Sequence, residues 1–159
     1  RLYALLDKLG ISYTVHRHQA FYTVAEADEK GYVLPGLNLK NLFIRDKKTG
    51  EHYLVILDDH RRPDFKAFGE IAGWKKGTFA GDEELMACLG LTPGSVSPFG
   101  LINDTGREVI VVLEQAVAAA PEDALVNFHP NVNTATIAVK KKDFLRFLEH
   151  MGNRVVMEE

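Results

Sequence analysis

The chain has 159 residues, a length that one domain can fill, because single hydrophobic cores usually occupy roughly 100–200 residues. A composition of 46% hydrophobic and 26% charged residues is that of an ordinary globular protein and excludes long disorder. The net charge of −3 excludes a surface that grips nucleic acid by bulk electrostatics, and the lone Cys88 excludes both an internal disulfide and a zinc site built from several thiolates.

The first stretch, RLYALLDKLG, carries Leu2, Leu5, Leu6 and Leu9 at helical spacing and predicts a helix stopping at Gly10. It has no long apolar block of the signal-peptide kind. Alternation in SYTVHRH (12–18) predicts a strand. Thr23 and Glu26 have the spacing of a capping box and predict a short helix over 23–31, closed by Gly31. LKNLFIRD (39–46) and EHYLVILD (51–58), joined by KKTG, read as a hairpin. Asp64 and Asp82 are placed to cap helices that end on Gly73 and Gly90.

Next comes TPGSVSPFG (92–100), where two prolines and two glycines rule out a helix and suggest a rigid loop with outward-facing N–H groups. Residues 107–115 predict a central strand, 134–140 another, and 142–152 a closing helix. Apolar runs such as AVAAA (116–120) fall far short of the roughly 20 residues a membrane helix needs. Taken together, the elements predict an α+β fold with a mixed sheet in one domain over 1–159, without repeats or linkers.

Several kinds of chemistry lack their signatures. His16 and His18 share one face of a strand, as metal ligands could, but no H-E-x-x-H or cysteine pair accompanies them. Cys88 lies on an apolar helical face with Leu85, Met86 and Leu89, the setting of a structural thiol. Ser95 and Ser97 have no G-x-S-x-G elbow, and no Walker A or G-x-G-x-x-G element occurs. Lys47–Lys48, Lys75–Lys76 and Lys140–Lys142 with Arg146 are either a local basic patch or solvated faces.

Three polar clusters remain. Lys40–Asn41 sits at the mouth of the strand LFIRD, and His129, Asn131, Asn133 and Thr134 stand just ahead of another strand. The third is the 92–104 loop, able to hold N–H groups in fixed directions for an oxyanion or phosphate. Each has an ordinary reading as well: a solvated lysine, an asparagine-held turn, a surface loop.

In this order and at this separation, LKNLFIRD, LGLTPGSVSPFGLIND and NFHPNVNTATI resemble the YbaK/prolyl-tRNA editing superfamily of aminoacyl-tRNA deacylases. Within it the chain is most similar to the free-standing bacterial enzymes of the ProX or PrdX type, which remove alanine wrongly attached to the tRNA for proline. The resemblance spans nearly the whole chain, and the G-x-x-x-P element Gly94–Pro98 is its most specific feature. It implies a barrel-like mixed sheet surrounded by helices, with catalysis at Lys40, Gly94, Ser95 and Pro98. Substrate binding would fall to Asn41, Val96, Ser97, Phe99, Gly100, His129, Asn131 and Thr134.

No metal or cofactor is implied, since a ribose hydroxyl of the substrate would assist attack. The implied partner is mischarged tRNA in the cytoplasm, with a prolyl-tRNA synthetase as a second candidate and no membrane. Phe99, Leu101 and Ile44 could form a size sieve, or belong to the core. Competing readings are a non-catalytic nucleic-acid-binding module, a metal hydrolase using His16 and His18, and a deacylase for cysteine or another small residue.

Overall fold

A computed structural model describes residues 1–17 and 36–158. The predicted helix at 23–31 and His18 lie outside the described residues. In chain order the elements are α1 (Leu2–Lys8), β1 (Tyr13–Arg17), β2 (Leu37–Asp46), β3 (His52–Asp58), α2 (Phe65–Ala72), β4 (Gly77–Phe79) and α3 (Asp82–Leu89). After two 3₁₀ turns, Pro93–Ser95 and Pro98–Asn103, follow β5 (Ile110–Leu113), α4 (Gln115–Ala118), β6 (Leu125–Phe128), β7 (Ala135–Lys140), α5 (Lys141–Met151) and β8 (Val155–Met157).

The strands form one mixed sheet in the order β1-β7-β6-β2-β3-β5-β8, with β4 paired to the far end of β2. The β2–β3 hairpin is antiparallel and in register from Leu39↔Asp58 to Arg45↔His52, as the sequence predicts. β6 joins β2 in parallel, as do β5 to β3 and β8 to β5. The sheet curls around one core. Val15 and Val155, from its two end strands, pack on a cluster that also holds Phe43, Leu54, Val111, Val126 and Ile137. Leu6, Leu85, Leu89, Phe144 and Phe147 bring α1, α3 and α5 into that cluster. On the opposite face of β2–β3–β5, Phe68 and Ala72 of α2 pack with Trp74 on Ile44, Val55 and Val112.

Several boundaries differ from expectation for local reasons. Asp64 does cap α2 through Ala67 N–H, but the N-cap of α3 is Gly81 and Asp82 lies inside the first turn. There the Glu84 carboxylate accepts the Gly81 N–H at 3.4 Å. The strand expected over 107–115 shrinks to 110–113 because Asp104 accepts the N–H groups of Glu108 and Val109 and holds a turn before it. β4, β6, β8 and α4 were not legible. Strands of three or four residues show no usable alternation and form because longer neighbours offer open edges.

Candidate active site

The 92–104 segment departs from the sequence expectation in one respect. It contains no α-helix, yet it is coiled into two short 3₁₀ turns, each with proline in its first two positions. Proline fixes φ near the helical value and has no N–H to waste there. Between the turns, Ser95 N–H donates to the Thr92 carbonyl, Phe99 N–H to Ser97 Oγ at 3.2 Å and Gly100 N–H to the Ser97 carbonyl. The amides of Gly94 and Ser97 find no acceptor among the described residues. Ser95 and Ser97 are buried, at 4% and 0% exposure, and the hydroxyl of Ser97 is spent on capping the second turn.

Three contacts fix this segment in the fold. Gly100 lies flat on the end of α3, where an added Cβ would come 2.6 Å from Leu91 Cδ1 and 3.0 Å from Leu89 Cβ. Asn103 Nδ2 donates to the Leu89 carbonyl at 2.8 Å. The Phe99 ring is wholly buried, edge-on to Phe128 and Phe147. Ile44, Phe99 and Leu101, the proposed sieve, are all core side chains at 0 to 2% exposure.

Lys40 and Asn41 do not precede their strand but lie within β2, paired with Leu57 and Ile56. Alternation therefore sends their side chains to opposite faces of the sheet. Asn41 shares the face of Leu39 and Phe43, on the side of the main core. Lys40 shares the face of Asn38, which sits beside Asn127 in the parallel β2–β6 ladder and accepts its Nδ2 at 3.2 Å. His129 follows the last residue of β6, whose parallel pairing with β2 covers Leu37↔Val126 and Asn38↔Asn127.

His129 Nδ1 lies 3.0 Å from the Ala135 carbonyl. A carbonyl only accepts, so Nδ1 carries the proton in this contact. Asn131 has a left-handed backbone (φ 65°), and its Nδ2 reaches the Phe99 carbonyl at 3.4 Å. That bond joins the second and third sequence clusters. Thr134 is exposed, just before β7.

The lysine pairs divide. Lys47–Lys48 and Lys75–Lys76 are gathered by buried Asp46, which accepts the N–H groups of Lys75, Lys48 and Lys76, while Lys47 N–H bonds the Lys76 carbonyl. Those bonds, Lys75 foremost, hold the Asp46 carboxyl down at about 2 against the effect of burial. Lys140 and Lys142 are instead within 4.0 Å of Asp123, and Arg146 pairs with Asp143. Burial pushes the Cys88 thiol up, which suits a structural residue. His16 sits on β1 opposite Thr136. Asp58, Asp59 and His60 bring ligand-type atoms within 4.8 Å of one another, but these groups bond each other.

A curled mixed sheet bearing a proline-braced turn with unbonded amides suits ester hydrolysis by backbone oxyanion stabilisation. The aminoacyl-tRNA editing domain family matches residues 18–147, and the chain belongs to that family of deacylases. Among individual relatives, it is 37% identical to the prolyl-tRNA editing protein ProX of Acetoanaerobium sticklandii, an alignment covering 94% of this chain and 90% of that one. It is 31% identical to the prolyl-tRNA synthetase associated domain-containing protein 1 of Mus musculus, over 93% and 88% of the two chains. The crystal structure of the hypothetical protein APE2540 has the same fold, with a TM-score of 0.73 at 20% identity over 99% of this chain and 97% of that one. No helix among the described residues is long and apolar enough to cross a membrane.

Proposed function

We propose that this protein is a trans-editing deacylase that hydrolyses the ester of alanine misattached to the tRNA for proline. The observation that carries the reading is the Gly94–Pro98 segment, braced by two proline-led turns, with the Gly94 and Ser97 amides unbonded among the described residues. Hydrolysis of an aminoacyl ester passes through a tetrahedral oxyanion, and each backbone donor aimed at it is worth roughly 3–4 kcal/mol in well-studied hydrolases. Because both turns are already formed, these donors need not reorganise as the charge develops.

Lys40 holds the terminal phosphate of the tRNA as a point charge. His129 orients the terminal ribose or the attacking water, and a ribose hydroxyl assists the attack. No protein nucleophile is then required, in keeping with the buried, hydrogen-bonded hydroxyl of Ser97. Alanine is the favoured substrate because a pocket shaped for proline forfeits only about 1–3 kcal/mol on a smaller side chain, which leaves a synthetase in need of a second sieve. The acceptor end is read by this chain itself or with a prolyl-tRNA synthetase.

The test is a deacylation panel over the tRNA for proline carrying alanine, cysteine, serine or proline, with Lys40→Ala alongside. Alanine is released and proline spared, and the variant is inactive. Undiminished turnover by Lys40→Ala removes Lys40 from the mechanism. Salt-sensitive tRNA binding without turnover favours a binding module instead, and loss of turnover on chelation favours a metal hydrolase.

A further inference from the structure

Buried acceptors without donors are rare in folded chains, and each calls for an explanation. Among the described residues, Asn41 Oδ1 and Asn131 Oδ1 are both buried and have no hydrogen-bond partner. A third such atom, Asn153 Oδ1, has a structural account: both donors of its amide are spent, at 2.8 Å, on Asp104 Oδ2 and the Val109 carbonyl. No comparable clasp among the described residues orients Asn41. For Asn131 one bond, to the Phe99 carbonyl, fixes which end of the amide is oxygen and sets it against the turn that follows Pro98. Asn131 has a left-handed backbone, φ 65°, a conformation asparagine adopts readily.

We propose that these two oxygens receive the α-ammonium of the aminoacyl group. The inference rests on the deacylase reading and names a substrate group that reading leaves unassigned. Lys40 and the 94–98 amides supply donors, which suit the phosphate and the ester oxygen. An ammonium is the reverse: three donors and no acceptor. Taken from water it needs acceptors around it, and orphaned carboxamide oxygens meet that need without a carboxylate that would repel the nearby oxyanion. A ribose hydroxyl, both donor and acceptor, has no requirement for a pair of pure acceptors. Asn41 shares a face with Phe43, and Asn131 is bonded to Phe99; both aromatic residues belong to the main core.

The experiment compares alanyl-tRNA with lactyl-tRNA, which has the same ester and methyl group but a hydroxyl in place of the ammonium. Wild-type protein hydrolyses the alanyl ester with a kcat/KM about tenfold to a hundredfold above that for lactyl, the range of one or two hydrogen bonds to a charged group. In Asn131→Gly, which keeps the left-handed backbone, and in Asn41→Ala, that ratio falls about tenfold. Asn41→Asp, of the same shape but charged, raises the ratio and covers the case in which the alanine variant fails to fold. A merely structural role lowers both rates and leaves the ratio unmoved; that result overturns the proposal, as does a wild type that treats both esters alike. A wild type that hydrolyses neither ester overturns the deacylase reading, and the assignment with it.

Discussion

Gly100 lies directly against Leu89: a Cβ built on Gly100 would stand 3.1 Å from the Leu89 carbonyl oxygen and 3.0 Å from its Cβ. Helix α3 and the turn that follows Pro98 therefore meet at backbone distance, and the position of the 94–98 amides depends on that contact. Gly100→Ala must push the turn away from α3. Overpacking of this kind costs about 1–3 kcal/mol, and a chain of this size loses about 2–4 °C of Tm per kcal/mol. We expect a Tm lowered by several degrees together with a reduced kcat for deacylation. A melt shifted as expected with kcat intact would show that the donors do not depend on this packing.

Asp46 sets an acid limit on the fold. Its carboxyl, held at about 2 by the N–H groups of Lys75, Lys48 and Lys76, lies below its unfolded value of about 3.9. A group depressed on folding contributes stability that is fully present above the unfolded value and disappears as pH falls through the folded one. Between pH 4 and 2 the wild type should lose stability that Asp46→Asn never had. Urea midpoints measured across that window should converge for the two proteins as the pH drops. A constant gap between them would mean that the clasp does not titrate.

Glu114 closes the other side of the molecule. At 5% exposure it accepts Asp58 N–H at 3.0 Å and Arg61 Nη1 at 2.7 Å, while Arg61 also reaches Glu158 at 2.8 Å and lies 4.9 Å over the Phe68 ring. Hydrogen bonds to Glu158 and then Glu114 raise the Arg61 guanidinium. Removing one partner of a buried pair typically costs about 3–5 kcal/mol, but Arg61 is a third exposed and water relieves part of that. We expect about 2–3 kcal/mol for Glu114→Ala and about 1 kcal/mol for the more peripheral Glu158→Ala, read from denaturant midpoints. Equal costs would mean that burial of Glu114 adds nothing.

The hairpin, the α2 cap at Asp64 and the glycine-stopped helices were legible because each is written in local chemistry: alternation, a capping carboxylate, a residue free to turn left-handed at Gly73 and Gly90. The parallel pairing of β2 with β6 was not legible, since Leu37↔Val126 spans most of the chain and β6 has only four residues. Lys40, Asn41, His129 and Asn131 could be singled out as polar residues among apolar ones. What brings their segments together is long-range: the short pairing of β2 with β6, Leu37↔Val126 and Asn38↔Asn127, and the bond from Asn131 to Phe99. The opposite facing of Lys40 and Asn41 follows from alternation along β2, whose predicted hairpin arm (39–46) already contained both.

The serines of the loop are distinguished by what their hydroxyls already do. Ser97 Oγ accepts Phe99 N–H and is fully buried, and Ser95 Oγ lies 3.3 Å from both the carbonyl and the hydroxyl of Thr92. Losing a capping hydroxyl costs about 1 kcal/mol. Ser97→Ala should therefore loosen the second turn, lower Tm by a few degrees and reduce kcat about tenfold or less. Ser95→Ala, which leaves its own N–H bond to Thr92 in place, should do less. Loss of a true nucleophile costs on the order of a million-fold in kcat, as in subtilisin. Single-turnover deacylation by both variants separates the two cases: a drop of that size in either one makes its hydroxyl the attacking group and overturns a mechanism built on backbone donors.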